Sequence, residues 1–424
     1  MIMINTIQRA VTRSIAATVL MCGAAACSNK FLDVTNPNVI DASTVDPTSG
    51  ATLLANSAQQ NFSAAYGWLA MYSAWFSGEA DVSDTFPTRN EFGFRQITDL
   101  NGSLLTDVWQ PITLAAASTK IVLDLTLPTP TTNINIARAA TFRGYAVLHM
   151  ATDFCNGTLS AGPKLTTAQM LDTATYWFNV GRTVGLANAT TDGISLANAS
   201  AVGTARARLQ RGDNAGALAA AALVPAGFVY NMVYFQDLSN ETRMVNRFWQ
   251  FTFDRGSVSV AAGYQTGDPR VPFMTPKQGG AAGLQGQDAL PLGFFAQQKF
   301  TGYAIPIRLA SRLEADYIAA EASASSAQQL TLIAARRTAN SQPAYAGASD
   351  AASVLTELMY QKSLDFYMED RKLADYRRNP AATLNIAPAG AVYLKPGYAN
   401  VGTQTCFPIP YQEWSTNPNF NGAP

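Results

Sequence analysis

Histidine and charged residues are scarce in this sequence. His149 is the single histidine, and charged residues make up 14% of the chain, against roughly 25% in ordinary globular proteins. One imidazole is too little for histidine-based metal clusters or for Ser-His-Asp catalysis. Because His149 lies in the helix-like run RAATFRGYAVLHMATDF, we predict that it is a packed core residue.

Neither sign of charge dominates, since 29 Lys and Arg residues balance 29 Asp and Glu residues. A neutral chain has no electrostatic footprint for nucleic acid. The sequence also lacks a phosphate-binding loop, a dinucleotide-binding glycine turn, zinc-ligand spacing and a nucleophile elbow. We therefore predict no cofactor, no metal and no nucleic-acid partner.

The N-terminus has the features of a secretory signal that ends before Cys27. Arg9 and Arg13 supply positive charge, and the apolar run 15–26 is too short to span a bilayer. The letters AAAC resemble a bacterial lipobox, although the usual leucine three positions before the cysteine is missing. We expect residues 1–26 to be a signal peptide and Cys27 to be lipidated, which anchors a protein without a transmembrane helix. The alternative is an ordinary signal peptide with a chance cysteine.

Two further cysteines, Cys155 and Cys406, remain in the mature chain. An exported protein meets an oxidising compartment, so an even pair is compatible with a disulfide. Two buried free thiols are an equally good interpretation. The sequence leaves both open.

Apolar residues recur at helical spacing through most of the chain, which predicts amphipathic helices. The stretch 307–378 is read as two helices joined by a polar segment. Asp350 is the expected N-cap of the second one, and Asn379-Pro380 its stop signal. The other helices are predicted over residues 51–76, 109–125 and 136–153, in the run MLDTATYWFNVGRTV, and on both sides of Gly212-Asp213. The last pair looks like one tetratricopeptide-type hairpin.

Two stretches, about 78–103 and 229–302, lack sustained periodicity and are rich in turn residues. Loops carry binding residues more often than core elements do, so we expect the two stretches to meet on one ligand-binding face. Alternation across 248–253 predicts a short strand there. The candidate ligand-binding residues, chosen for loop position and composition, are Phe86, Asn90, Phe94, Tyr264 and Phe294.

Carboxylates cluster in GEADVSD (Glu79, Asp81, Asp84) and in SLDFYMED (Asp365, Glu369, Asp370). A glycosidase needs two carboxyl groups at a defined separation across the sugar. The second cluster lies beside Arg371 and Lys372, so we predict ion pairing for it. Catalysis by the first cluster would make the protein a secreted carbohydrate-active hydrolase, which we keep as an alternative to the prediction that it is not an enzyme.

Several segments, in order, resemble the SusD/RagB family of nutrient-binding lipoproteins. They are the lipobox, FLDVTNPN, GDPRV, RLEADYIAAEA, IAARR, MEDRKLADYRR and the ending CFPIPYQEWSTNPNFNG. The resemblance covers nearly the whole chain, although each motif alone is modest. The family's ligand residues vary, so none is transferred to this chain.

The resemblance implies a mainly α-helical protein with tetratricopeptide-like helix pairs, a few short strands and a loop-rich ligand face. Its organisation would be a signal peptide (1–26), a lipidated cysteine with a tether (27–48) and one domain (49–424). It further implies a surface-displayed outer-membrane lipoprotein that binds a glycan and delivers it to a TonB-dependent β-barrel transporter. A tetratricopeptide-type scaffold that binds only proteins remains the other alternative.

Overall fold

The structure is a computed structural model that describes residues 46, 50–236, 244–275, 285–288, 290–291 and 293–422. The predicted signal peptide and Cys27 lie outside these residues. The helices and strands all belong to one compact unit, 47–424.

Helices dominate the described residues, as the periodicity predicts. None of these helices has the length and apolar character needed to cross a membrane. In chain order they are α1 Ala51–Phe76, α2 Pro87–Gly93, α3 Gln110–Leu123, α4 Ile134–Asp153, α5 Thr167–Asn188, α6 Thr191–Arg211, α7 Asn214–Ala222, α8 Arg312–Ala322, α9 Ser326–Ala339, α10 Ala351–Asp365, α11 Lys372–Arg378 and α12 Tyr411–Thr416.

Helices that follow one another in sequence pack against one another from α3 to α8, and α1 lies against α3 and α4. The aromatic stripe of α1 is core, because Phe62, Tyr66 and Tyr72 are fully buried. His149 on α4 is buried among the same rings, 5.2 Å from Tyr66 between ring centroids. The predicted core position of His149 is therefore confirmed.

The predicted helical hairpin around Gly212 is confirmed as α6 and α7. Gly212 ends α6 with a φ of 83°, a left-handed conformation that glycine adopts without steric cost. The Asp213 side chain then accepts the Gly216 N–H and caps α7. Small residues on both helices allow their close contact, which is typical of tetratricopeptide-like pairs.

The C-terminal region contains more structure than the predicted pair of helices. Residues 307–311 form a strand instead of the first helical turn, and the polar joining segment is itself helix α9. Asp350 does cap α10, because its Oδ1 accepts the N–H groups of Ala352 and Ser353. The last helical stretch ends at Arg378, immediately before Asn379-Pro380, as predicted.

Two small sheets complete the fold. The first has the order β1-β3-β5-β4, and the second pairs β2 with β6 in antiparallel fashion. The strands are β1 Ala80–Val82, β2 Val229–Met232, β3 Val258–Val260, β4 Phe273–Met274, β5 Ala296–Gln297 and β6 Ile307–Ser311.

The strand predicted over 248–253 is wrong, because residues 247–254 form α- and π-helical turns. The Asn246 side chain accepts the N–H groups of Phe248 and Trp249 and so starts the turn. Phe248 and Phe251, three residues apart, are both buried. A dense run of aromatic residues fits both the spacing of a helix and the alternation of a strand. The Asn246 N-cap favours the helix in this segment.

Buried ion pairs hold the C-terminal helices in place, as predicted for the second carboxylate cluster, although most partners come from distant segments. Glu369 contacts Lys299 at 2.7 Å and Arg308 at 2.8 Å. Asp365 contacts Arg270 and Arg336. These are tertiary links between elements and not pairs within one helix.

Cys155 and Cys406 form a disulfide that closes a sequence separation of 251 residues. Beside it, the Cys155 N–H donates to the Phe407 carbonyl and the Phe407 N–H donates to the Asp153 carbonyl. The end of α4 and the segment before α12 are thus joined by one covalent bond and two hydrogen bonds.

We predict that replacing both cysteines, Cys155→Ser with Cys406→Ser, lowers the free energy of unfolding by roughly 2–5 kcal/mol, because the crosslink restricts the unfolded chain. Urea denaturation under oxidising conditions measures the loss. A reductant should destabilise the parent protein by a similar amount and leave the double variant unchanged. Equal stability of the oxidised and reduced parent would contradict the prediction.

Candidate functional site

A cleft of about 360 Å³ opens beside β1. One wall is β1 itself, which continues the chain directly after α1. The other wall is the segment 385–401, which follows α11, and the turn 261–263 after β3 also lines the cleft. The cleft therefore collects residues from segments that are more than 300 positions apart in the chain.

Two glycines allow these walls to approach one another. Gly78 has a φ of 69°, and a Cβ there would stand 2.7 Å from the Asn385 carbonyl oxygen. A Cβ on Gly263 would stand 2.6 Å from the Cγ of Asn385. A larger side chain at Gly78 would push the backbone of Asn385 away, whereas one at Gly263 would displace the Asn385 side chain.

Asp81 is the one carboxylate among the described residues that line this cleft. Its neighbours on β1, Ala80 and Val82, are fully buried, whereas Asp81 is partly exposed. The backbone of β1 pairs with β3, where Asp81 lies opposite Ser259. Burial raises the pKa of Asp81 to about 6, because loss of water disfavours the charged form.

Arg95 and Lys372 support the 385–387 wall of the cleft. Arg95 Nη2 donates to the Ala387 carbonyl, and its Nη1 donates to the Tyr376 hydroxyl. Lys372 Nζ donates to the Asn385 carbonyl at 3.0 Å. Burial lowers the pKa of Lys372, partly opposed by the neighbouring charge of Glu79.

An aromatic rim, Phe86 and Tyr398, adjoins the cleft wall at Tyr393. Tyr398 packs against that ring, and Asn90, which accepts from the Tyr393 hydroxyl, donates to the Phe86 carbonyl. Phe86 is 49% exposed, and Tyr398 is half-buried and packs 5.8 Å from Tyr393, a residue of the cleft wall. The two rings flank a polar group of three residues. Arg89 contacts Asp84 at 2.6 Å and lies over Phe86, and Lys395 donates to the Asp84 carbonyl and lies over Tyr398.

The structure separates the five candidate ligand-binding residues into one exposed ring and four buried side chains. Phe94 packs beneath the rim, 6.0 Å from Tyr398, and is 8% exposed. Tyr264 is fully buried against Tyr367, and Phe294 is 7% exposed. The expectation that these three rings offer faces to a ligand is therefore wrong.

Asn90 is also unavailable to a ligand, because it is fully buried. Its Nδ2 donates to the carbonyls of Asp84 and Phe86, and its Oδ1 accepts from Lys395. These bonds use its polar atoms to shape the loop that presents Phe86. Asn90 is thus a residue that positions the rim.

Sequence reasoning missed Tyr393, Lys395 and Tyr398. They lie in GAVYLKPGYANVG, where tyrosine and lysine alternate with glycine and proline after the last long helix. The stretches 78–103 and 229–302 were selected because they are rich in turn residues and lack periodicity. The same criterion would have identified this segment as a third candidate loop.

Two of the three carboxylates considered for catalysis, Glu79 and Asp84, are held in internal contacts. Glu79 is 1% exposed and accepts the Met368 N–H at 3.0 Å. Asp84 is fully buried and accepts from Arg89 and from the Phe86 N–H. Among the described lining residues, Asp81 therefore has no second carboxylate facing it across the cleft.

A separate buried group, His149, Asp153 and Asp370, has ligand atoms within 4.8 Å of one another. His149 Nδ1 lies 2.8 Å from Asp370 Oδ2. Arg371 supplies positive charge to Asp370. Burial and the neighbouring charge of Asp370 raise the pKa of Asp153 well above its ordinary value, although the charge of Arg377 opposes them. Asp370 pairs with His149, and the raised pKa of Asp153 favours its protonated form, so the group is accounted for as part of the buried polar network.

The chain shares its fold with solved SusD superfamily proteins. One from Parabacteroides distasonis ATCC 8503 matches with a TM-score of 0.64 at 14% identity, over 88% of this chain and 98% of that one. One from Bacteroides fragilis NCTC 9343 has a TM-score of 0.65 at 12% identity, over 89% and 98%. A SusD-like carbohydrate binding protein from Bacteroides vulgatus ATCC 8482 has a TM-score of 0.59 at 15% identity, over 78% and 83%.

This likeness establishes a SusD-like, mainly helical fold, as the order of sequence motifs predicts. No family model matches the sequence, and no curated protein matches it either. The function of this chain therefore has to be argued from the cleft and its rim.

We predict that Asp81→Asn raises the free energy of unfolding at pH 8 by roughly 1–3 kcal/mol. The folded-state pKa of Asp81, about 6, lies above its ordinary value of 3.8. The folded protein therefore holds this proton more tightly than the unfolded chain does, and stability falls as pH rises between these values. Denaturation of parent and variant from pH 3 to pH 8 measures the difference. It should vanish below about pH 4, and a pH-independent difference would contradict the argument.

Proposed function

We propose that the protein is a binding protein of the SusD/RagB type that captures a glycan at the Asp81 cleft and its aromatic rim. The observation that carries the proposal is a partly exposed carboxylate in a cleft of a SusD-like fold, with the rim rings adjoining the Tyr393 wall of that cleft. Aromatic faces stack on the apolar faces of sugar rings, and carboxylates accept hydrogen bonds from sugar hydroxyls. Phe86, Tyr398 and Asp81 supply these two kinds of contact.

The hydrolase alternative is weaker for a geometric reason. Both classes of glycosidase place two carboxyl groups on either side of the scissile bond. Glu79 and Asp84 are turned into internal hydrogen bonds, so Asp81 stands without a partner among the described lining residues. A single carboxylate supports binding better than hydrolysis.

We further propose that the protein is a lipoprotein of the outer membrane, anchored by Cys27 and displayed at the cell surface. Its partner would be a TonB-dependent β-barrel that receives the glycan. A groove of about 350 Å³ between α5, α6 and α7 is lined by Leu186 and Leu223, which are 47% and 50% exposed. Exposed apolar side chains favour a protein contact on this helical side.

We predict that Phe86→Ala and Tyr398→Ala each weaken glycan binding roughly tenfold, because each removes one stacking surface. Affinity electrophoresis of the full-length protein in a panel of polysaccharides identifies a retained glycan, and calorimetry then gives the dissociation constants. Tyr176→Ala is the matched control, since this exposed tyrosine lies on α5. Retention by no glycan, or equal losses in all three variants, would overturn the assignment of the site.

We predict that the tagged full-length protein recovers a large β-barrel receptor in near-equal amount from gently solubilised membranes of its host. Leu186→Asp with Leu223→Asp should abolish the recovery, because charges would then face the apolar contact. Phe86→Ala should leave the recovery intact. Cys27→Ser should move the protein from the membrane to the soluble fraction. If no barrel co-purifies, the transporter role loses its support, whereas glycan binding is judged by the preceding experiment.

A further inference from the structure

The Asp81 carboxylate has no partner within the described part of the chain. No hydrogen bond or ion pair joins it to another described residue, and burial is the one cause of its raised pKa. The other carboxylates of the two sequence clusters, Glu79, Asp84, Asp365, Glu369 and Asp370, each contact an N–H group or a basic side chain. Asp84, only three residues away, contacts both the Phe86 N–H and the Arg89 guanidinium.

The cations near the cleft are engaged elsewhere. Arg95 donates to the carbonyls of Ala387 and Gln404 and to the Tyr376 hydroxyl. Lys372 donates to the Asn385 carbonyl and lies 4.7 Å from the centre of the Tyr264 ring. Neither lowers the pKa of Asp81. The negative charge at the cleft is therefore uncompensated by the protein.

Asp81 is partly exposed but has lost much of its water. A carboxylate in that position without a counter-charge is destabilised, and a ligand that supplies the missing charge gains the most from meeting it. Sugar hydroxyls can satisfy the hydrogen bonds of a carboxylate, but they leave its charge in place. A protonated amine satisfies both, and charge-assisted hydrogen bonds are roughly twice as strong as neutral ones. The geometry of the cleft thus favours a cationic donor over a neutral one.

We propose that the glycan captured by this cleft carries free amino sugars, and that the ammonium group of one of them binds the Asp81 carboxylate. This inference rests on the glycan-binding function proposed above and narrows it to one ligand class. The rings of Phe86 and Tyr398 would hold neighbouring sugar rings, so that affinity comes from stacking and selectivity comes from Asp81. An N-acetylated sugar lacks the charge and has no advantage over a neutral sugar.

The test is binding of the full-length protein to a glycan array that carries free-amine, N-acetylated, neutral and acidic oligosaccharides of matched backbones. The pH is held near 6.5, above the pKa of Asp81 of about 6 and low enough for sugar amines to be charged. We expect each retained free-amine glycan to bind about tenfold or more tightly than its N-acetylated counterpart, the gain of one charge-assisted contact. In Asp81→Asn this ratio should fall to about one, whereas binding through the rim persists.

Asp172→Asn is the matched control, because Asp172 is an exposed carboxylate on α5 that pairs with Arg211. It should keep the preference for free amines. A melting curve at pH 8 checks that Asp81→Asn is folded, since the variant is expected to be more stable than the parent there.

The outcomes separate the two proposals. Binding of neutral or acidic glycans without a preference for free amines would overturn the amine assignment and leave glycan capture standing. An amine preference that survives in Asp81→Asn would overturn the role of Asp81. Binding to no glycan on the array would overturn the proposed function and this inference together.

Discussion

The buried guanidinium of Arg371 is the contact on which the rest of the fold depends. Its Nε lies 3.2 Å from Glu314 Oε1, its Nη2 donates to the Leu309 carbonyl and its Nη1 donates to the Tyr66 hydroxyl. One side chain thereby joins α1, β6, α8 and the turn before α11. Loss of Glu314 would leave this guanidinium buried without its carboxylate partner, which costs several kcal/mol; Glu314 itself is also paired with Arg206. The turn 366–371 is therefore fixed relative to the helical core.

The same turn fixes the cleft. The Met368 N–H donates to Glu79 Oε1, and the Tyr367 hydroxyl donates to the Glu79 carbonyl. Glu79 immediately precedes β1, the strand that carries Asp81. In the other wall, Lys372 holds the Asn385 carbonyl. Both walls are thus tied to one buried network, and a cleft held in this way loses little conformational freedom when a ligand binds.

Local signals in the sequence were enough to predict most helices, but they could not predict which residues face the cleft and its rim. The Asp350 cap, the Gly212 turn and the long stripe of α1 depend on neighbouring residues, so periodicity and capping chemistry predict them. The exposure of an aromatic ring depends on distant partners. Tyr264 is covered by Tyr367, and Phe94 by Tyr393 and Tyr398, all more than 100 positions away. Composition alone could not separate these rings from Phe86, which has no such cover.

For the carboxylates, too, local sequence predicts the kind of contact but not the distant partner. Ion pairing of Asp365 and Glu369 was predicted from the basic residues next to them in the sequence. Their partners in the structure, Arg270, Arg308 and Arg336, instead come from distant segments. The fold decides which acidic residues of the two clusters are paired with basic side chains or N–H groups and which, Asp81, is left at the cleft. Fold and function are therefore separable in this chain, because the network that stabilises the core uses different carboxylates from the one that faces the cleft.

The disulfide has a consequence for the integrity of the chain after damage. It encloses the segments between Cys155 and Cys406, including the turns around β3 and the joint between α9 and α10. A single proteolytic cut anywhere in that interval leaves two fragments that are still covalently joined. The wall 385–401 would stay attached to α4, so the cleft could persist in a nicked molecule. Such a molecule would run as one band on a non-reducing gel and as two after reduction.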